Sequence, residues 1–238
     1  MKIALIGYGK MGKTIEKIAK ERGHTISHII EKDSAKGIEV LQPENTDVAI
    51  EFSQPESALQ NILSCLHQGV PIISGTTGWL DKLPEVEQAC KENNGTFFYA
   101  SNYSIGVNIF FKLNKYLAKL MNGQSDYDVS MKEIHHTEKK DSPSGTALTL
   151  INDILPHQPK LSGWVETHEK PTDKLPIESI REGKVPGTHS ITYTSRIDQI
   201  TIEHEAFGRE GFALGAVLVS EWIKDKKGML SMENFLSF

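Results

Sequence analysis

The fold is decided near the start of the chain, where residues 2–12 read KIALIGYGKMG. A short apolar run, 2–6, leads into a glycine-rich turn, and apolar residues at helical spacing follow the turn. Strand, glycine turn and helix form the context in which a G-x-G-x-x-G pattern binds a dinucleotide. In that pattern Gly7 allows the tight turn, Gly9 lets a pyrophosphate approach the backbone, and Gly12 lets the helix pack closely on the strand. Glycine-rich turns also occur without ligands, so the pattern needs support from the rest of the chain.

Strands and helices alternate up to about residue 100. Four further apolar segments predict strands, at 25–30, 47–52, 70–74 and 96–100. Helices are predicted between them, at 55–67 and 80–92. This alternation is typical of an α/β fold and predicts a Rossmann-like parallel-sheet nucleotide-binding domain with right-handed crossovers. Ligands of such sheets lie beyond the carboxyl ends of the strands, so the loops after the strands are expected to share one binding edge.

Two residues after the second strand bear on the choice of dinucleotide. Glu31 stands 19 residues after Gly12, about where the dinucleotide fingerprint places an acidic residue on the adenosine ribose. Lys32 beside it could meet a 2′-phosphate. The residues therefore leave the choice between NADH and NADPH open.

The pattern changes after residue 104. An apolar stripe predicts a helix over 105–121, and period-two alternation predicts half-exposed strands over 127–134, 190–194 and 199–203. A further helix is predicted near 146–155, whereas 156–187 has weak periodicity with a short strand near 177–181. After Glu205 an apolar helix is expected to return to the first domain.

The chain is therefore predicted to form a dinucleotide-binding domain of residues 1–104 and 206–238 around an inserted substrate-binding and oligomerisation domain of residues 105–205. The inserted part is predicted to be α+β, built on an open mixed sheet. Two crossing connections are a natural hinge, so closure over a substrate is expected. The open sheet face is expected to be a subunit interface.

A second informative segment covers residues 133–146, which read EIHHTEKKDSPSGT. Its second half resembles a helix start: Pro143 stops any preceding helix, Ser144 can cap, and an apolar run follows. Unpaired N–H groups at a helix N-terminus bind a carboxylate or phosphate well. Two imidazoles and two ammonium groups just upstream supply proton donors and positive charge. The segment predicts that an acidic substrate is bound and protonated here, and a solvated connecting loop is the alternative.

Composition limits the classes of function. The chain has 238 residues, 38% hydrophobic and 24% charged, and a net charge of -5, which argues against a nucleic-acid-binding protein. No apolar run approaches the roughly 20 residues that span a bilayer, and no signal-peptide pattern opens the chain. Cys65 and Cys90 fit no paired motif and are expected to be buried thiols. No His-Glu-x-x-His motif occurs, so no metal is predicted. A cytoplasmic protein without membrane or nucleic-acid partners is expected.

Several longer segments resemble one family in the same order along the chain. They are the glycine turn, residues 75–78 (GTTG), residues 100–108 (ASNYSIGVN), residues 133–148 with His-His…Lys…Ser-Gly-Thr, and Arg209 with Phe212-Ala213-x-Gly215-Ala216. These segments are similar to those of bacterial dihydrodipicolinate reductases, also called 4-hydroxy-tetrahydrodipicolinate reductases. The resemblance implies NAD(P)H-dependent reduction of 4-hydroxy-tetrahydrodipicolinate to tetrahydrodipicolinate in the diaminopimelate route to lysine. It also implies a homotetramer joined through the sheets of the second domains.

The resemblance assigns residues by position. The proton-donating catalytic pair would be His135 and Lys139, with His135 expected to titrate in the useful range. The substrate-binding positions would be His136, Ser144, Gly145 and Thr146. The positions that match nucleotide-binding loops are Gly7, Tyr8, Gly9, Lys10, Met11, Gly12, Glu31, Lys32, Gly75, Thr76, Thr77, Ala100, Ser101, Asn102, Tyr103 and Arg209. Many members have a longer first loop and an arginine where Lys10 or Lys32 stands, which again leaves NADH or NADPH open.

Two other functions are considered. Another two-domain nicotinamide enzyme, such as a semialdehyde or amino-acid dehydrogenase, would share the first domain. An acylating semialdehyde dehydrogenase needs a cysteine nucleophile, and neither Cys65 nor Cys90 lies in a suitable loop. An NAD-sensing regulator would bind cofactor without turnover, but it has no need of the His135 and Lys139 pair.

Overall fold

The computed structural model describes residues 1–32, 37–169 and 171–237. The chain forms two compact units, one of Met1–Ile105 with Arg209–Phe238 and one of Gly106–Gly208. These boundaries lie within a few residues of the expected domain limits.

In chain order the strands are β1 (Lys2–Ile6), β2 (Thr25–Ile30), β3 (Val48–Glu51), β4 (Ile72–Ser74), β5 (Thr96–Tyr99), β6 (Asp128–His135), β7 (Trp164–Glu166), β8 (Leu175–Arg181), β9 (Gly187–Thr194), β10 (Gln199–Ala206) and β11 (Gly228–Leu230). The α-helices are α1 (Lys10–Glu21), α2 (Pro55–His67), α3 (Leu83–Glu92), α4 (Ile105–Met121), α5 (Gly145–Ile154), α6 (Glu210–Ile223) and α7 (Met232–Leu236). Short 3-10 turns cover Ile38–Val40, Leu80–Lys82 and Leu155–His157.

The first unit is built on a parallel sheet in the order β11-β5-β4-β3-β1-β2. Successive residues of β1 point into opposite cores. Ile3 and Leu5 pack with α1 and α6, and Ala4 and Ile6 pack with α2 and α3. A strand buried on both faces has this continuous apolar character, which is why the sequence shows no alternation there. The Rossmann-like prediction is confirmed, with β11 added at one edge.

The second unit is a five-stranded mixed sheet in the order β10-β9-β6-β8-β7. The central strand β6 runs antiparallel to β9 and parallel to β8. Alternate residues of β6, from Val129 onward, are buried. The apolar ones pack with Phe110 of α4 and with Leu150 and Ile151 of α5. The predicted open mixed sheet is confirmed.

Several predicted elements differ from those observed, and β9 and β10 are each three residues longer than the predicted strands 190–194 and 199–203. The helix expected over 80–92 begins with the 3-10 turn at Leu80–Lys82, and the α-helix starts at Leu83. Pro84 lies in its first turn, where a residue without an N–H group is best tolerated. The strand expected near 177–181 starts earlier, at Leu175. Within the described residues, no helix is long and apolar enough to cross a membrane.

Candidate active site

In the glycine turn after β1, the backbone packs closely around Gly7 and Gly12, whereas the position of Gly9 is open. Gly7 has a φ of 89°, and a Cβ there would lie 2.1 Å from the carbonyl oxygen of Phe52. A Cβ on Gly12 would lie 2.4 Å from the carbonyl oxygen of Gly7, so helix and strand are in close contact. Gly9, which precedes the first residue of α1, has nothing within 4 Å of the corresponding position. Open space at a helix N-terminus fits a pyrophosphate group.

A cavity of about 1010 Å³ lies at the carboxyl edge of the parallel sheet, in the first unit. The loops after β1, β2, β3 and β4 contribute to its wall, as the strand pattern predicted. The wall includes these expected residues: Gly7, Tyr8, Gly9, Lys10, Met11, Glu31, Lys32, Gly75, Thr76 and Thr77. Its size and polar edge suit a dinucleotide.

The other residues expected to contact a cofactor do not line this cavity. They are Gly12, Ala100, Ser101, Asn102, Tyr103 and Arg209. The Tyr103 side chain is 2% exposed and its hydroxyl donates to the carbonyl oxygen of Ser74 at 2.8 Å. The ring belongs to the core of the first unit, so any contact of Tyr103 with a cofactor would have to come from its backbone. Arg209 is exposed and precedes α6.

The cavity wall also includes residues beyond the assigned site positions, although the loop after β3 with Ser53 was itself expected at this edge. These wall residues follow β3 and continue into α2: Ser53, Gln54, Pro55, Glu56, Ser57 and Asn61. Beneath them Glu51 is fully buried and accepts hydrogen bonds from Ser74 Oγ at 2.6 Å and from Thr76 Oγ1 at 2.9 Å. It also accepts from the Ser53 amide at 3.0 Å. One carboxylate thus ties together the loops after β3 and β4. An acidic residue at a strand end, followed by Ser and Pro, was the available signal.

In the second unit, α5 begins beside the carboxyl end of β6. Ser144 caps the helix, because its Oγ accepts from the Ala147 amide at 3.2 Å. The Ser144 amide itself donates to both carboxylate oxygens of Glu133, at 3.1 and 3.2 Å. It is therefore not available for a substrate, which corrects the expectation that this amide binds one. Gly145 and Thr146 supply the next two amides, which have no partner within the helix. Nothing lies within 4 Å of a Cβ placed on Gly145.

Glu133 is the centre of a buried polar cluster. It is 0% exposed, and besides the Ser144 amide it accepts from Arg181 Nη2 at 3.2 Å. Its Oε2 lies 3.5 Å from His189 Nε2 and 3.7 Å from His135 Nδ1. Burial raises the pKa of Glu133, but His189, Ser144 and the nearby His135 lower it to about 2 overall. The carboxylate is therefore ionised under all ordinary conditions.

His135 faces this carboxylate from the last position of β6. The residue is 6% exposed, and burial is the largest cause that lowers its pKa to about 4; Glu133 opposes the shift, and His189, Lys139 and Arg181 add to it. The imidazole is therefore neutral near pH 7. The expectation that His135 titrates in the useful range is wrong for the free protein, because the sequence did not show that this strand position is buried.

Lys139 lies in the loop between β6 and α5. Its Nζ donates to both carboxylate oxygens of Asp141 at 2.8 Å, and its side chain is 21% exposed. The ammonium group lowers the pKa of Asp141. His136 is half-buried, and its Nδ1 is buried without a hydrogen-bond partner. The loop therefore places a cation and an unsatisfied imidazole nitrogen close to the start of α5.

The ligand-type atoms of Glu133, His135 and His189 lie within 4.8 Å of one another. These residue types can bind a transition metal. Here, however, the Arg181 guanidinium and the Ser144 amide already occupy the oxygens of Glu133. The cluster is thus a hydrogen-bonded carboxylate with its charge compensated by the protein.

Comparison with known proteins assigns both units of the chain to one family. Residues 1–103 match the family model of the dihydrodipicolinate reductase N-terminus, and residues 106–236 match that of its C-terminus. The chain belongs to the dihydrodipicolinate reductase family. A 4-hydroxy-tetrahydrodipicolinate reductase of Christiangramia forsetii is 49% identical over 237 residues, covering 100% of this chain and 98% of that protein. One of Methanocaldococcus jannaschii is 35% identical over 194 residues, covering 79% of this chain and 70% of that protein.

A solved structure gives the same fold. The dipicolinate-bound dihydrodipicolinate reductase from Paenisporosarcina sp. TG-14 superposes with a TM-score of 0.82 at 22% identity, covering 99% of each chain. Membership of the reductase family confirms the predicted resemblance, the oxidoreductase class and a nicotinamide cofactor. The regulator without turnover and the dehydrogenase alternatives are not supported.

The buried cluster of this family member predicts acid sensitivity. The pKa of His135 is about 4 in the folded protein against an ordinary 6.5, so the unfolded chain binds more protons between these values. Stability is therefore expected to fall by about 3 kcal/mol as the pH drops from 6.5 to 4. Folding lowers the pKa of Glu133 from 4.5 to about 2, so protonation of this carboxylate lowers the free energy of unfolding further between pH 4.5 and 2.

Urea unfolding between pH 7 and 4 measures this effect. His135→Gln is expected to flatten the pH dependence of the unfolding free energy between pH 6.5 and 4. His168→Gln is the matched control, since that side chain is 82% exposed, and it should keep the wild-type slope. Equal slopes in wild type and His135→Gln would contradict the burial of an uncharged imidazole.

Proposed function

We propose that this chain catalyses the NAD(P)H-dependent reduction of 4-hydroxy-tetrahydrodipicolinate to tetrahydrodipicolinate, a step of the diaminopimelate route to lysine in which the 4-hydroxyl group leaves as water. The observation that carries the proposal is the loop of residues 136–144, which leads from the end of β6 into the open first turn of α5. It joins a cation, Lys139, to an anion-binding helix start. The full-length relative at 49% identity carries the name of this reductase.

The first unit binds the nicotinamide nucleotide, which supplies the hydride when bound. The space above Gly9 and the N-terminus of α1 receive the pyrophosphate, because no side chain fills that position. Glu31 and Lys32 both lie on the cavity wall, one suited to a ribose hydroxyl and the other to a 2′-phosphate. Either NADH or NADPH is accepted on these grounds, and side-by-side rates with the two cofactors decide the preference.

The second unit binds the substrate, a ring with two carboxylates. One carboxylate accepts hydrogen bonds from the amides of Gly145 and Thr146, and the positive end of the α5 dipole adds to their effect. Ser144 contributes by capping the helix and not through its own amide. The half-buried His136 supplies a further polar contact. Fixing the ring at two points is expected to contribute more to the rate than any single proton transfer.

Lys139 stabilises the charge that develops at the ring nitrogen and donates a proton to it. A mobile ammonium group with three donors suits this role. In the free protein its charge is balanced by Asp141. A doubly anionic substrate offers Lys139 a second partner, so the cation can turn from Asp141 towards the ring without losing all compensation.

We also propose that the protein is a cytoplasmic homotetramer assembled through the open sheet of the second unit. The support is apolar exposure next to the edge strand β10. Ile197, just before β10, is 94% exposed, and Phe207, just after it, is 90% exposed. Exposed apolar groups of this size commonly mark a protein interface.

Crowding the helix start tests the carboxylate site. Gly145→Val is expected to raise KM for the substrate by about tenfold or more while the fold is retained, since the added atoms point into open space. Steady-state kinetics and thermal denaturation measure the two effects. Asn152→Val, two turns further along α5 and exposed, is the control that should leave KM unchanged. An unchanged KM in Gly145→Val would remove the carboxylate assignment.

The proposed activity itself is tested by a coupled assay. Aspartate semialdehyde and pyruvate with a synthase generate fresh substrate, and the loss of NADH or NADPH absorbance is followed. Consumption that depends on the synthase supports the function. Binding of either cofactor without any consumption would overturn it and leave a cofactor-binding regulator.

A further inference from the structure

One nitrogen of the buried imidazole lacks a partner. Within the part of the chain that the structure describes, His135 Nδ1 is among the few buried side-chain atoms with no hydrogen bond. It lies 3.7 Å from Glu133 Oε2, less than 1 Å beyond hydrogen-bond distance. The carboxylate is ionised and can only accept, so a bond between the two atoms requires the proton on Nδ1. This leaves Nε2 of the same ring, which lies beside Gly187, as the nitrogen free to contact another group.

The surroundings hold the ring in place and leave little room to turn it. The ring of His189 stands edge-on to it, with centroids 5.0 Å apart and planes at 70°. A Cβ placed on Gly187 would lie 3.1 Å from His135 Nε2. The charged or titratable groups that face the ring are Glu133, His189, Lys139 and Arg181. Three of these four disfavour a charged imidazole, and Glu133 alone favours it.

We propose that Glu133 is the positioning residue of the substrate site, which accepts a hydrogen bond from His135 Nδ1 so that Nε2 is protonated when the dianionic substrate binds. The inference rests on the proposed function. The two carboxylates of the substrate add negative charge to that of Glu133, and this added charge favours the imidazolium form of His135. Glu133 stabilises the positive ring from the opposite side, as a buried carboxylate does in other histidine-dependent sites.

The same carboxylate fixes the carboxylate-binding turn. Both of its oxygens accept from the Ser144 amide, and Arg181, which also donates to the Asp141 carbonyl oxygen at 2.7 Å, connects it to the loop of Lys139. Glu133 therefore sets the positions of the proton donor and of the first turn of α5 together. In this role Glu133 contacts neither substrate nor cofactor, and it acts only through the residues that it binds.

Kinetics and histidine NMR test the proposal with Glu133→Gln. The amide can donate to Nδ1 instead of accepting from it, so the ring should switch to the tautomer with the proton on Nε2. The value of kcat is expected to fall about 10²-fold, as for a misplaced catalytic group. The double variant with His135→Gln should lose less than the product of the two single losses, because the part of the Glu133 effect that acts through His135 is already absent. Additive losses would overturn the proposal.

The spectroscopic readout uses ¹⁵N-histidine protein with and without dipicolinate, a ring with two carboxylates. In wild type the His135 signals are expected to change from the neutral Nδ1–H form to the imidazolium form on binding at pH 7. No such change is expected in Glu133→Gln. A wild-type ring that stays neutral in the complex would overturn the proposal. Because dipicolinate binding needs no turnover, this result is distinct from a failure of the reductase assay.

Two further variants separate positioning from folding. Glu178→Gln on β8 is the control, since that glutamate faces His168 outside the buried cluster, and it should keep the wild-type rate and spectra. Gly187→Ala changes neither Glu133 nor Arg181, and its Cβ would lie 3.1 Å from His135 Nε2 and 3.8 Å from His189 Cε1. Because Gly187 has a φ of 158°, thermal denaturation is measured alongside the kinetics. The substitution is expected to lower kcat with little change in cofactor affinity, even if Glu133→Gln proves too unstable to study. A wild-type kcat in Gly187→Ala would contradict the assigned ring position.

Discussion

Lys139→Ala is expected to lower kcat by about 10²–10⁴-fold, the range typical of losing a positioned proton donor. The ammonium group lies in the loop before α5, where it donates to both carboxylate oxygens of Asp141 at 2.8 Å. No neighbouring lysine should substitute for it, because only a cation placed beside the developing negative charge stabilises the transition state. Steady-state rates with saturating cofactor measure the loss.

The adjacent Lys140→Ala is the matched control for Lys139→Ala. Lys140 is exposed and one residue further along, so removing it changes the net charge equally without emptying the site. Its kcat should remain close to wild type, and cofactor affinity should be unchanged in both variants. A collapse of cofactor affinity in Lys139→Ala would show that the division of labour between the two units is wrong.

Gly9→Ala is expected to weaken cofactor binding by about tenfold or more, equivalent to about 1.4 kcal/mol, without lowering thermal stability. The structure leaves open space at this position, so the free protein accommodates a methyl group. The bound pyrophosphate would have to occupy the same space. Fluorescence titration with NADH and NADPH measures the affinity.

The control for Gly9→Ala is Gly211→Ala in the same unit. Its Cβ would make an ordinary contact with Ser104 Oγ at 3.7 Å, and it lies outside the cavity wall. Cofactor affinity should be unchanged there. If Gly9→Ala binds NADH and NADPH as wild type does, the pyrophosphate lies elsewhere and the glycine turn serves packing alone.

The architecture was largely predictable because its long elements carry strong local signals. The helices at Pro55–His67 and Ile105–Met121 have the predicted bounds, since a proline start in one and a regular apolar stripe in the other define them. The three-residue strands β7 and β11 were missed. Unlike the equally short β4, which is buried throughout, β7 and β11 are partly exposed and carry no apolar run, and their pairing with β8 and β5 depends on distant parts of the chain.

The site was less predictable than the fold because its chemistry depends on tertiary contacts. Glu133 and the Ser144 amide are separated by a loop, and only the folded chain shows that they bond. The neutral state of His135 likewise follows from burial at the end of β6, where an alternating sequence gives no measure of depth. Tyr103 was assigned by resemblance to a loop position, whereas its ring fills the core.

The central claim is that the chain transfers a hydride from the nicotinamide cofactor to a dicarboxylate ring. The transfer of deuterium from the cofactor to the ring tests this claim most directly. Single-turnover reactions with NADH or NADPH deuterated at both C4 positions are quenched and the dicarboxylate product is analysed by mass spectrometry. The account predicts one deuterium in each product ring, formed in step with cofactor oxidation and lost together with activity in Lys139→Ala. Cofactor oxidation that leaves the ring unlabelled, or a ring that gains no hydrogen at all, would contradict it.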